Sequence, residues 1–212
     1  MDKYLEEKLI SIAKERISNE DPSHDIEHSF RVLNNAKRIA FEEKADLDII
    51  IPAALFHDLI VYPKNDPNKH LSQEESAEAT EKILSSIKEY PKEKIGGVKI
   101  SIMECSFTKG IKPVLLESKI LQDADGLEAT GAISIMRTFS STGRMKRLFY
   151  NPSDPFCKNR EPESLNYALD LFFTRLLKVK ERMHTETAKK IAEKRTEFLK
   201  EFLKELELEI GQ

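Results

Sequence analysis

Cysteine and long apolar runs are scarce in this sequence, and each scarcity excludes a class of protein. The two cysteines, Cys105 and Cys157, are too few for a disulfide scaffold. No apolar run approaches the roughly 18 residues of a membrane span, and residues 1–8 are too acidic and too polar for a signal peptide. We therefore predict a globular cytoplasmic protein with no membrane partner.

An excess of one charge sign is also missing. The 212 residues carry 34 Lys and Arg against 37 Asp and Glu, for a formal net charge of −3. Proteins that bind nucleic-acid polymers by bulk charge are strongly basic, so the balance argues against such a partner and leaves only a local basic patch open. The length predicts a single domain over residues 1–212.

Apolar residues recur at spacings of three and four along most of the chain, and strand-like alternation is rare. With only seven glycines to interrupt it, this pattern predicts an all-α fold, a single compact helical bundle. The predicted helices cover residues near 5–12, 26–40, 47–59, 72–89, 92–105, 113–121 and 127–139, followed by C-terminal helices over 162–208.

Proline, glycine and capping residues indicate where some of these helices begin, bend or end. Pro52 lies inside the apolar run, so that helix either starts late or is kinked. Ser72 and Glu75 have the spacing of a capping box. Glycine and three prolines fall within residues 140–164, which we predict to form a flexible loop, a type of segment that is often functional in a compact domain.

Chemistry concentrates around three of the five histidines. His24 and His28 are four residues apart, a spacing that places both on one face of a helix. His57 and Asp58 close the apolar run that precedes them. A lone buried histidine is usually a core residue with a satisfied hydrogen bond, but burying two adjacent polar side chains is costly unless both find partners. A metal ion is such a partner, and Mn, Fe, Zn, Ni and Mg accept imidazole and carboxylate ligands in mixed sites.

Two further acids, Asp123 and Asp125, lie between apolar residues. Asp125 has the position of a cap for the next helix. Asp123 directly follows Ile120–Gln122 and is predicted to be more buried, which makes it the better candidate for a fourth ligand.

The order of these motifs resembles the HD superfamily of metal-dependent phosphohydrolases over nearly the whole chain. His28 is followed by Arg31-Val32, then by His57-Asp58, and about 65 residues later by Asp123. The segment 123–133, DADGLEATGAI, is similar to a segment typical of that superfamily. A single His-Asp dipeptide carries no signal, whereas this ordered set is specific.

The resemblance implies a metal centre within residues 24–125, with His28, His57, Asp58 and Asp123 as ligands of a divalent ion (Mn, Mg, Fe, Co, Ni or Zn). The implied reaction is hydrolysis of a phosphoester or phosphoanhydride in a small phosphorylated substrate, a nucleotide by preference, by metal-activated water. Asp58 would take part in catalysis as a ligand. Asp25 or His24 would orient a ligand histidine, unless His24 only begins the helix.

The substrate phosphates would need positive partners, and three basic residues are candidates by their positions: Arg31 one turn beyond His28, Arg137 fourteen residues after Asp123, and Lys146 in the long loop. Ordinary surface solvation is the alternative for each of them. The sequence leaves the oligomeric state open, with a homodimer as one option.

The sequence departs from the superfamily at one position that bears on metal number. Many members bind a second metal through two additional histidines, and Cys105 stands where one of them is expected, so we predict one metal ion. The same replacement motivates an alternative function, a sensor or regulatory protein of reduced catalytic activity that binds nucleotide or metal. A purely structural bundle is the third and least favoured option.

Overall fold

Helices make up the regular structure of this protein. The computed structural model describes residues 1–17, 25–62, 66–106 and 110–211, and within these ranges it has no β-strand beyond an isolated bridge between Leu148 and Tyr167. The helices are α1 (Lys3–Arg16), α2 (Ile26–Glu43), α3 (Leu47–Phe56), α4 (Ser72–Ser86), α5 (Ile95–Met103), α6 (Leu116–Gly126), α7 (Gly131–Met145), α8 (Asp170–Thr174) and α9 (Glu186–Ile210). The prediction of an all-α fold is confirmed. None of the described helices is both long enough and apolar enough to cross a membrane.

The chain divides into two compact units, Met1–Asp125 and Gly126–Gln212. The sequence predicts one domain over residues 1–212, and that remains a prediction. Each unit has its own buried apolar residues and is described separately here.

Helix α3 is the centre of the first unit. It packs against α1, α2, α4 and α5, and all of its residues from Ile50 to Phe56 are buried. A helix that is apolar on every face is stable only when neighbours surround it, which explains why this run lies at the middle of the unit.

Pro52 lies inside α3, which begins at Leu47, so the expectation of a late start was wrong. Proline has no N–H to donate to the carbonyl four residues earlier, which is that of Asp48. The buried Tyr90 supplies the missing donor, because its hydroxyl donates to the Asp48 carbonyl at 2.8 Å. A side chain far along the chain thus makes a proline tolerable inside this helix.

The second unit is built around α9. Its apolar core consists of Leu169, Phe172, Leu176 and Leu199, and the rings of Phe172 and Phe202 stack with centroids 5.7 Å apart. A 3₁₀ segment, Leu176–Arg182, occupies part of the range predicted as the first C-terminal helix. Regular structure begins at Asp170 rather than near residue 162. The residues between them form turns, in which the Asn166 side chain donates to the Glu163 carboxylate at 2.7 Å.

The predicted loop over 140–164 begins later than its sequence indicates, because α7 continues to Met145. From Lys146 onward the segment lacks helices but is tied down by hydrogen bonds. Arg147 donates to the Ser164 carbonyl at 2.8 Å and to the Ser141 hydroxyl at 2.7 Å. The flexibility of this loop remains a prediction.

A charged pair anchors the same segment. Asp170, completely buried, accepts two hydrogen bonds from the Arg160 guanidinium, at 2.5 Å and 2.7 Å, and one from the backbone N–H of Glu163 at 2.6 Å. The guanidinium also lies 5.0 Å from the centroid of the Tyr167 ring. This bidentate ion pair joins Arg160 of the segment to Asp170 at the start of α8.

Helix α7 buries hydroxyl side chains. Ser134, Thr138 and Thr142 are buried, whereas Met136 is 68% exposed. Two of these hydroxyls donate within the helix, as when Thr142 donates to the Thr138 carbonyl at 2.8 Å. The helix also packs apolar side chains such as Phe139 against the core of the unit, so its packing does not depend on the hydroxyls alone.

Candidate metal centre

The first histidine of the site is held at the start of α2. Asp25 is the N-cap of this helix, and its carboxylate accepts the backbone N–H of His28 at 2.8 Å. This bond fixes the backbone of His28, whose side chain is buried. His24, predicted to share a face with His28, lies outside the described residues.

The second histidine and its aspartate follow the end of α3. The ring nitrogen Nδ1 of His57 lies 2.9 Å from the Ala54 carbonyl, so Nδ1 carries the proton and donates it. This leaves Nε2 with a free lone pair. Nε2 is buried and makes no hydrogen bond to any residue that the structure describes, which is costly for a polar atom unless a further partner binds it.

The carboxylate oxygens of Asp58 and Asp125 lie close to the Nε2 atoms of the two histidines. Asp58 Oδ2 lies 3.7 Å from His28 Nε2 and 3.6 Å from His57 Nε2. Asp125 Oδ1 lies 3.6 Å from His28 Nε2. The ligand atoms of His28, His57 and Asp125 all lie within 4.8 Å of one another.

These separations fit a divalent ion. Nitrogen and oxygen ligands that bind one ion at about 2.1 Å are roughly 3–4 Å apart from their neighbours. Two imidazoles with two carboxylates form a donor set that suits Mn, Fe, Co, Ni and Zn. The orphaned Nε2 of His57 gives independent support, because a metal would satisfy it.

The two acids of α6 are both candidate ligands from the sequence. The structure places Asp125 with the two histidines, and Asp123 is completely buried on the same helix. The role of Asp123 as a metal ligand remains a prediction. The interpretation of Asp125 as a helix cap was wrong, because α6 continues through Gly126 and the N-cap of α7 is Thr130.

A contact between helices supports the position of Asp125. The side chain of Asn35, two turns beyond His28 on α2, reaches the carbonyl of Ala124 at 3.4 Å. This contact brings the end of α6 against the helix that carries His28. The buried Asp123 is completely inaccessible to solvent, as its apolar neighbours predict.

The residues predicted to bind phosphate lie in different places. Arg31 is half-buried on α2, one turn from His28. Arg137 belongs to the second unit, where its Nη1 lies 3.8 Å from the buried carboxylate of Glu128. Lys146 is exposed at the left-handed C-cap of α7. Their roles in substrate binding remain predictions.

Cys105, the residue that replaces an expected histidine, is buried at the end of α5. It is not a member of the group formed by His28, His57 and Asp125. From the sequence Asp125 is the less favoured of the two acids, and the structure places it with the two histidines.

Comparisons with known proteins identify the family of this chain. A model of the HD domain family matches residues 25–130. The Bacillus subtilis protein YpgQ is 34% identical over 198 residues, which cover 92% of this chain and 88% of that protein. A crystal structure of YpgQ in complex with ADP has a TM-score of 0.72 at 28% identity, covering 98% of this chain and 96% of the other.

A second structure, an HD-superfamily hydrolase from Bacillus thuringiensis, has a TM-score of 0.72 at 28% identity and covers 99% of both chains. The matched region contains His28, His57, Asp58, Asp123 and Asp125. The chain belongs to the HD domain family and has the fold of an HD-superfamily hydrolase.

Proposed function

We propose that this protein is a metal-dependent phosphohydrolase that cleaves a phosphoester or phosphoanhydride of a nucleotide. The observation that carries the proposal is the cluster of His28, His57, Asp58 and Asp125, in which both histidines are buried and the Nε2 of His57 has no hydrogen bond to a described residue. The YpgQ structure with ADP supports a nucleotide as the substrate class.

Residues of the first unit would bind the metal ion. His28, His57, Asp58 and Asp123 would hold one divalent ion, and Asp125, whose Oδ1 lies 3.6 Å from His28 Nε2, would be a further oxygen donor. A bound divalent ion supplies Lewis acidity, which activates water and neutralises charge on a phosphoryl group.

Other residues of the unit would orient these ligands. The bond from His57 Nδ1 to the Ala54 carbonyl fixes the ring so that Nε2 faces the centre. Asp25 fixes His28 through the backbone rather than through its ring. Arg31, one turn beyond His28, would bind a substrate phosphate.

The direct test combines metal analysis with a substrate screen. The purified protein would be analysed for bound metal, and nucleoside mono-, di- and triphosphates would be screened with Mn²⁺, Mg²⁺, Co²⁺ and Ni²⁺. We expect metal binding and hydrolysis to disappear together in Asp58→Ala. His184→Ala, an exposed histidine of the second unit, serves as the matched control and should retain both. Full activity in Asp58→Ala would exclude the proposal.

The alternative is a sensor that binds nucleotide or metal with little turnover. The replacement of an expected histidine by Cys105 motivates this alternative. It predicts saturable nucleotide binding without hydrolysis under any of the four metals. The same screen therefore separates the two functions.

A further inference from the structure

The turn that carries Asp58 is fixed from outside its own segment. Helix α3 ends at Phe56, and the backbone N–H of Leu59 donates to the Phe56 carbonyl at 3.1 Å. Residues 59–62 then continue without helix or strand. A ligand on a turn has less backbone support than one inside a helix, so the orientation of Asp58 depends on what holds the residues that follow it.

One side chain of α4 binds both backbone polar groups of Ile60. The backbone N–H of Ile60 donates to the Ser76 hydroxyl at 2.9 Å, and that hydroxyl lies 3.4 Å from the Ile60 carbonyl, to which it donates. Ser76 is 0% exposed. A hydroxyl can accept and donate at once, and no apolar residue of similar size could replace it in this role.

A second bond strengthens the same attachment. The hydroxyl of Tyr62 donates to the carboxylate of Glu75 at 2.6 Å. The predicted capping box of Ser72 and Glu75 is therefore not formed, because Glu75 binds Tyr62 and the Ser72 hydroxyl donates to the Lys69 carbonyl. Two successive residues of α4 thus attach the segment that follows Asp58.

We propose that Ser76 is a positioning residue of the metal centre, which orients Asp58 by fixing the backbone at Ile60. The inference rests on the proposed function, since it assumes that Asp58 binds a metal ion. Without the Ser76 hydroxyl, the Ile60 N–H and carbonyl lose their partner and the turn samples other conformations. Loss of outer contacts that orient ligands typically lowers metal affinity by about 10- to 100-fold.

The test compares two hydroxyl deletions on the same helix. Ser76→Ala removes the bonds to Ile60. Thr80→Val is the matched control, because Thr80 is also 0% exposed, lies one turn further along α4, and donates only within the helix, to the Ser76 carbonyl at 2.7 Å. Both variants lose a buried hydroxyl, but only the first loses the attachment of the turn.

The measured quantity is the dissociation constant for Mn²⁺, determined by isothermal titration of the full-length protein after chelator treatment. We expect about a tenfold or larger increase for Ser76→Ala and less than about a threefold change for Thr80→Val. The Co²⁺ absorption spectrum provides a second readout, because it reports ligand number and geometry. It should change in Ser76→Ala only.

Equal Mn²⁺ affinity in Ser76→Ala and Thr80→Val would overturn the inference, whether both match the wild type or both fall together. If Ser76→Ala does not fold, Tyr62→Phe decides, since it removes the second attachment at a partly exposed position. A weakened affinity in that variant supports the inference, and an unchanged one overturns it. Failure of the wild type to bind any of the four metals would instead refute the proposed function.

Discussion

Replacing Tyr90 by phenylalanine removes a single oxygen atom from the centre of the first unit. The ring stays in place, so no cavity larger than the hydroxyl is created. The carbonyl of Asp48 then loses its donor, and Pro52 cannot provide another because it has no N–H. The substitution therefore leaves an acceptor in the interior of α3 without a protein partner.

The cost follows from the penalty for an unsatisfied polar group. Removing one partner of a buried hydrogen bond destabilises a protein by about 1–3 kcal/mol. We expect about 1.5 kcal/mol here, since the carbonyl is only partly buried. For a chain of this length that corresponds to a fall in the melting temperature of about 3–6 °C.

Thermal unfolding followed by circular dichroism measures this effect. Tyr4→Phe is the matched control, because Tyr4 is 63% exposed, so the change should stay within about 0.5 kcal/mol. A Tyr90→Phe protein as stable as the control would refute the reasoning.

A double-mutant cycle tests the cause directly. Pro52→Ala restores an N–H that can donate to the Asp48 carbonyl inside α3. In that background Tyr90→Phe should cost about 1 kcal/mol less than in the wild type. Additive effects would show that the hydroxyl stabilises the unit for some reason other than the proline.

The same residue makes alkaline pH destabilising. Burial raises the pKa of Tyr90, and the charges of Asp48 and Asp46 raise it further. The unfolded chain releases this proton near pH 10, whereas the folded protein retains it. The free energy of unfolding should therefore fall as the pH rises above about 10, because the unfolded chain then gains from releasing the Tyr90 proton. The fall should be smaller in Tyr90→Phe, which has no such proton.

Three further predictions concern other parts of the chain. Asp123→Asn and Asp125→Asn should each weaken Mn²⁺ binding by about tenfold or more in calorimetric titration; wild-type affinity in either variant would remove that acid from the ligand set. Arg160→Ala should lower the free energy of unfolding in urea by about 3–5 kcal/mol, because it leaves Asp170 buried and unpaired, and a change below 1 kcal/mol would contradict this. Lys44→Gly should raise the melting temperature, with a gain of about 0.5–1 kcal/mol, since Lys44 has a φ of 57° at the C-cap of α2; an unchanged or lower value would count against backbone strain there.

The histidines of the site could be predicted from the sequence because their signals are local. A four-residue spacing and a polar pair after an apolar run are both visible without knowing what lies nearby. The choice between Asp123 and Asp125 could not be made this way. The apolar neighbours of Asp123 correctly indicate burial, but burial does not say which side of α6 meets α2.

The end of α7 shows a second limit of sequence reasoning. Serine, threonine and glycine after Phe139 are typical of a loop, yet the helix continues to Met145. The Ser141 and Thr142 hydroxyls donate to the Thr138 carbonyl of their own helix, each at 2.8 Å. They do not compete for the backbone in the way that makes these residues favour turns. Contacts of this kind form only once the helix exists.

The exposure of Met136 on α7 has a chemical consequence for the surface of the second unit. A buried methionine such as Met183 is shielded from peroxide, whereas the thioether of Met136 meets it directly. Oxidation to the sulfoxide would turn this apolar side chain into a strong hydrogen-bond acceptor. An oxidant can therefore reverse the polarity of the surface at Met136 without reaching the buried hydroxyls of the same helix.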